Sequence, residues 1–94
     1  MAARYYPAIL EKSSTGFGVH FPDLDGCTSA GETMEQAAAN AEEALALHLS
    51  GMRKDGDRIP EPTPLDQVRA DPDVTEAARI LVRADLPAGR CAST

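Results

Sequence analysis

Tryptophan is absent from these 94 residues, and the aromatic complement is only two Phe and two Tyr. The core therefore falls to Ala, Leu, Ile and Val. A chain this short buries about two-thirds or less of its unfolded surface, so that core is thin and oligomerisation would help it. Cysteine is scarce too: Cys27 and Cys91 stand far apart, in no Cys-x-x-Cys arrangement. With no signal-like start, they read as reduced thiols of a cytoplasmic protein, small buried or tail residues without chemistry. No apolar run approaches the roughly eighteen residues that a membrane-spanning helix needs. Positive charge is the third shortage. Nine Lys and Arg face fifteen Asp and Glu, a net charge of −6, and apart from Arg53-Lys54 the cations are scattered singly. Phosphate backbones require clustered cations, so this chain alone is not expected to bind nucleic acid directly. From Ser13 to Met52 there is no Lys or Arg at all, against six carboxylates: Asp23, Asp25, Glu32, Glu35, Glu42 and Glu43. One long uncompensated acidic surface suits a basic partner.

The length fits one domain, residues 1–94. Residues 4–12 carry aromatic and branched side chains and read as a strand; Pro7 cannot donate to a ladder, so the strand is an edge there or begins near it. Ser13-Ser14-Thr15-Gly16 is a turn, and residues 17–22 alternate Phe17, Val19, Phe21 with Gly18 and His20, a half-buried strand in a hairpin with the first. After the break at Pro22-Asp23-Leu24-Asp25-Gly26, residues 27–30 form a short third strand.

Thr33-Met34-Glu35-Gln36 is a capping box. It opens a helix over 34–54 with an apolar stripe of Met34, Ala38, Ala41, Leu45, His48 and Met52, widened by Ala37, Ala44 and Leu49. Arg53 and Lys54 suit its last turn, and Gly56 stops it. A Pro-rich connection leads to Thr63-Pro64, which predicts a second short helix over 64–70. Residues 76–86 alternate again, Ala78, Ile80, Val82 and Ala84 on one face, as a last strand ended by Pro87 and Gly89. The order β-β-β-α-α-β is a two-layer α+β sandwich, a mostly antiparallel sheet under one long helix.

Chemistry is thin. Asp23-Leu24-Asp25-Gly26 resembles the opening of a calcium loop, but the twelfth position counted from Asp23 is Met34 rather than Glu, so it reads as an acidic turn. His48 lies on the apolar helix stripe and reads as a packed histidine; His20 points away from the Phe17/Val19/Phe21 face. Neither has a partner at metal-ligand spacing, and there is no phosphate-binding loop. No metal or cofactor is expected.

Tyr6-Pro7-Ala8-Ile9 with Glu11, Gly18-Val19-His20-Phe21-Pro22-Asp23-Leu24, Gly26-Cys27, Ala30-Gly31-Glu32-Thr33 and Ala38-Asn40-Ala41-Glu43-Ala44-Leu45 together resemble the N-terminal domain of HicB-family antitoxins. The likeness covers roughly residues 4–86. It implies a partial RNase H-like fold without that class's catalytic carboxylates, and a non-enzymatic antidote in a type II toxin–antitoxin pair. The implied partner is a HicA-type toxin, a small basic ribonuclease with a double-stranded-RNA-binding-like fold and a catalytic histidine, whose active surface the antitoxin occludes against mRNA. On that reading Asp23, Asp25, Glu32 and His20 contact the partner, and the chain is a homodimer or larger homo-oligomer. There are two departures. Asp25 stands where the family commonly has Pro, and the chain stops at Thr94, before the C-terminal DNA-binding domain usual in the family. The alternatives are a small orphan hydrolase using Cys27 with a histidine, a nuclease-like domain using Asp23 and Asp25, and a self-associating structural module without a toxin.

Overall fold

A computed structural model describes residues 2–70, 72 and 74–86; the expected strand stop at Pro87 and Gly89, and Cys91, lie outside the described residues. The elements are β1 (Ala2–Ser13), β2 (Gly16–His20), β3 (Thr28–Gly31), α1 (Met34–Asp55), a 3-10 turn (Leu65–Gln67) and β4 (Glu76–Leu86). The chain is thus α+β, a four-stranded antiparallel sheet in the order β3-β2-β1-β4 with one helix. Pro7 finds the place that its missing N–H requires. β2 pairs with β1 only from Ile9 to Ser13, so at Pro7 the strand is flanked by β4 alone, opposite Leu81.

Strand alternation divides the sheet into two faces. Tyr6, Ala8, Leu10, Val19, Val82 and Ala84 join Ala37, Ala41, Leu45 and Leu49 of the helix in one core, with Ala78 and Ile80 partly buried against it. Ile9 is buried as well but belongs to the other face, with its register partners His20 and Arg79. The helix begins as the capping box predicts: the Gln36 N–H donates to Thr33 Oγ1 at 3.0 Å, while the Gln36 side chain accepts from the Glu32 N–H at 2.7 Å, one residue further back than the usual box. It ends at Gly56 in the left-handed region, with the Asp57 N–H returning to the Met52 carbonyl at 2.8 Å.

The buried helix row is Ala37, Ala41, Leu45 and Leu49; Met34, Ala38, His48 and Met52 of the expected stripe are only half buried. Steps of four residues drift around the helix, and such a diagonal row follows the twist of a sheet better than a row along the axis. The second helix expected over 64–70 is instead the single 3-10 turn Leu65–Gln67. Long-range contacts explain the difference. The Thr63 hydroxyl is drawn to Asp23 (2.6 Å) rather than to a cap, and Val68 leaves the turn extended. Arg79 Nη1, from β4, takes the carbonyls of Leu65 (3.1 Å) and Val68 (2.8 Å). The same guanidinium makes a two-point pair with Glu76 at 2.7 and 3.0 Å, and this hydrogen bonding holds the Glu76 carboxyl below the ordinary carboxylate range.

Candidate functional site

The turn between β2 and β3 folds because its apolar residues fall every third position. Phe21, Leu24 and Cys27 are buried, their backbones linked by Leu24 N–H to Phe21 carbonyl (3.0 Å) and Cys27 N–H to Leu24 carbonyl (3.2 Å). Gly26, at φ +82°, supplies the left-handed step that closes the turn. The turn is thereby pinned beside the C-terminal half of α1, and an open groove of about 630 Å³ runs between them. Leu24, Leu47, Met52 and Pro60 give it apolar walls; Asp25, Asp55 and Asp57 give it an acidic rim, with Arg58 as the cation that also lines it.

The four residues singled out in the sequence come to three different places. Asp23 and Asp25 both reach the groove, but Asp23 is engaged within the fold. Its carboxylate accepts the Thr63 N–H at 2.8 Å and the Thr63 hydroxyl at 2.6 Å, tying the turn to the connection after the helix. Asp25 is exposed. Glu32, also exposed, sits at the opposite end of α1, beside the β1–β2 turn; at 1.5 Å per residue that is roughly 20 Å from the groove. His20 lies on the sheet face away from α1, half buried between Ile9 and Thr28.

Cys27 and His48 do line a common small cavity. The thiol, however, is 3% exposed, burial raises its pKa, and its Sγ lies 3.9 Å from the Ala44 carbonyl as a weak donor. A nucleophile needs the thiolate and access to it, and this site disfavours both. Asp23 is turned to Thr63 while Asp25 is exposed, so the two carboxylates stand in different surroundings. Among the described residues, no three His, Cys, Asp or Glu side chains gather as a metal ion would need, and no helix is long and apolar enough to cross a membrane.

Leu47, Gly51, Asp55 and Asp57 were not legible as site residues. The signals available were a leucine on the wet face of an amphipathic helix and a glycine four residues after it.

A family model described as HicB-like antitoxin of bacterial toxin–antitoxin systems matches residues 6–91. A 14.9 kDa protein of Haemophilus phage HP1, encoded in the rep–hol intergenic region, is 37% identical over 81 residues, covering 86% of this chain and 61% of its own length. The chain spans 61% and 55% of the lengths of two curated relatives it matches. In structure it is similar to the N-terminal domain of Burkholderia pseudomallei antitoxin HicB (TM-score 0.74, 29% identity, covering 87% of this chain and 99% of that one). It is also similar to a chain of the HicA3–HicB3 toxin–antitoxin complex (TM-score 0.68, 35% identity, covering 86% and 95%).

Proposed function

The chain belongs to the HicB-like antitoxin family, and from that premise we propose that it neutralises a HicA-type mRNA-cleaving ribonuclease toxin by binding it and covering its active surface. The observation that carries this reading is the acidic run from Ser13 to Met52, six carboxylates without a Lys or Arg. In the fold, Asp25, Glu32, Glu35, Glu42 and Glu43 are all exposed, on the turn, at the helix start and along the outer side of α1. Such a surface speeds encounter with a basic protein and competes with RNA for the same cations. A structure of the HicA3–HicB3 complex, to one chain of which this chain is similar, supports a toxin as the partner.

The protein acts by binding, in the cytoplasm, without a cofactor and without chemistry of its own; Cys27, buried and with its thiol pKa pushed up by that burial, supports that reading. The long helix over an antiparallel sheet supports a partial RNase H-like fold, and His20 and Glu32 belong to a wider contact surface than the groove. A homodimer or larger assembly is part of the same proposal. Tyr5 and Leu81, each about half exposed (49%), lie on the face away from α1 beside the edge strand β4 and support self-association.

Calorimetric titration of the chain into a catalytically inactivated HicA-type toxin from its own operon tests the proposal; tight, salt-sensitive binding is expected, and no binding by the folded chain overturns it. Asp25→Lys is the cleaner charge reversal, because Asp23 also holds Thr63. It is expected to slow association several-fold at low salt, with the difference fading as the Debye length falls to about 3 Å near 1 M salt. An association rate unchanged at low salt would remove the turn from the contact surface.

A further inference from the structure

Three features in the C-terminal half of α1 and just beyond it are ones that the isolated fold does not call for, and all three open on the same groove. The first is Gly51. Glycine is the poorest helix residue after proline, and the fold does not require it here: its φ is not positive, and a Cβ at this position would meet nothing within 4 Å. The second is Leu47, 70% exposed at the groove wall, on a helix whose other leucines, Leu45 and Leu49, are buried. The third is the pair Asp55 and Asp57. Both stand at the carboxyl end of the helix, where the dipole disfavours anions, and among the described residues no ion pair joins either to a cation. Local choices that contradict the fold cluster at functional sites.

Resting on the antitoxin reading, we propose that this groove seats a basic segment of the toxin. The segment's backbone passes over Gly51, where the missing side chain lets it come close. One Lys or Arg side chain lays its aliphatic stem along Leu47 and Met52 and delivers its charge among Asp25, Asp55 and Asp57. Long cationic side chains are suited to a site with an apolar wall and an acidic end. The charge balance selects that occupant: four carboxylates line the groove, one of them, Asp23, already hydrogen-bonded to Thr63, against the single cation Arg58. An acidic or purely apolar segment would leave Asp55 and Asp57 unanswered.

The test compares variants of the 94-residue chain by titration into the inactivated HicA-type toxin, with a thermal melt of each. Gly51→Leu fills the groove from a position with free space around it, so it is expected to melt no lower than wild type while binding at least tenfold more weakly. Leu47→Ala removes only an exposed side chain; it is expected to keep the melt and also weaken binding, and it decides the matter should Gly51→Leu fold poorly. Asp55→Asn with Asp57→Asn is expected to slow association and flatten its salt dependence. Wild-type binding with unchanged affinity in Gly51→Leu and Leu47→Ala overturns the groove and leaves the antitoxin reading standing. Absence of binding by folded wild type overturns the antitoxin reading and the groove with it.

Discussion

Gly31→Val lowers the thermal midpoint of this fold by about 10 °C or more, the expected result of a branched side chain placed where the helix touches the sheet. A Cβ at Gly31 would run into the backbone of α1, meeting the Ala37 amide nitrogen, Ala37 Cα at 2.7 Å and the Gln36 carbonyl carbon at 2.8 Å. A flexible side chain can turn away from such a contact; a helical backbone cannot. Overpacking typically costs about 1–3 kcal/mol, and more where neighbours are rigid. A domain of this size loses about 4–8 °C per kcal/mol. Gly51→Ala supplies the control. There the same kind of change meets open space and is expected to raise stability by about 0.5–1 kcal/mol through helix propensity alone. Thermal melts of the two variants beside wild type read both signs, and a destabilising Gly51→Ala would mean that glycine serves the fold at that position after all.

Tyr6→Ala is expected to cost about 3–5 kcal/mol, the range for truncating a buried aromatic residue, against a total stability of about 5–15 kcal/mol. Tyr6 is fully buried at the centre of the sheet's helix side, and its hydroxyl donates to the Pro60 carbonyl at 2.7 Å. Tyr6→Phe separates the two roles. It keeps the ring and removes the donor, while Arg4 Nη1 still reaches the same carbonyl at a long 3.4 Å. It should therefore cost only about 0.5–1.5 kcal/mol. Urea unfolding of both variants decides between ring and hydroxyl. Equal losses would show that the hold on Pro60, rather than the packing of the ring, carries the contribution.

The legibility of the fold in the chain divides by the distance over which each residue acts. Thr33 with Gln36, Gly56 after Arg53 and Lys54, and the alternation of Phe17, Val19 and Phe21 are local signals, and α1 and β2 follow them closely. Pro7 likewise predicted its own setting. The 3-10 turn did not yield to such reasoning, because its fate rests with Asp23 and Arg79, 40 residues before Thr63 and 11 after Val68. The helix row shifted from Met34, Ala38 and His48 toward Ala37 and Leu49 for a similar reason: a helical wheel knows the period of a helix but nothing of the sheet beneath it.

The candidate site shows the same division. Asp23 and Asp25 are legible as the two carboxylates of an acidic turn, yet only the fold shows that Asp23 is bound to Thr63 while Asp25 is exposed. Asp55 and Asp57 carry no local sign of a site, and become a rim only when the Phe21–Cys27 turn is laid beside them.

The pairing of β1 with β4 joins Ala2 to Leu86, the two ends of the described chain, while every other strand contact is made between near neighbours. On the ribosome, β1, β2, β3 and α1 are therefore all synthesised before the strand that completes the sheet exists. Until residues 76–86 emerge, residues 2–8 of β1 lack a pairing strand on either side. At about 5–20 residues per second of synthesis, that interval is about 4–16 seconds. Pro7, which cannot donate to a ladder, lies within this open edge, the kind of residue that blunts pairing between exposed strand edges.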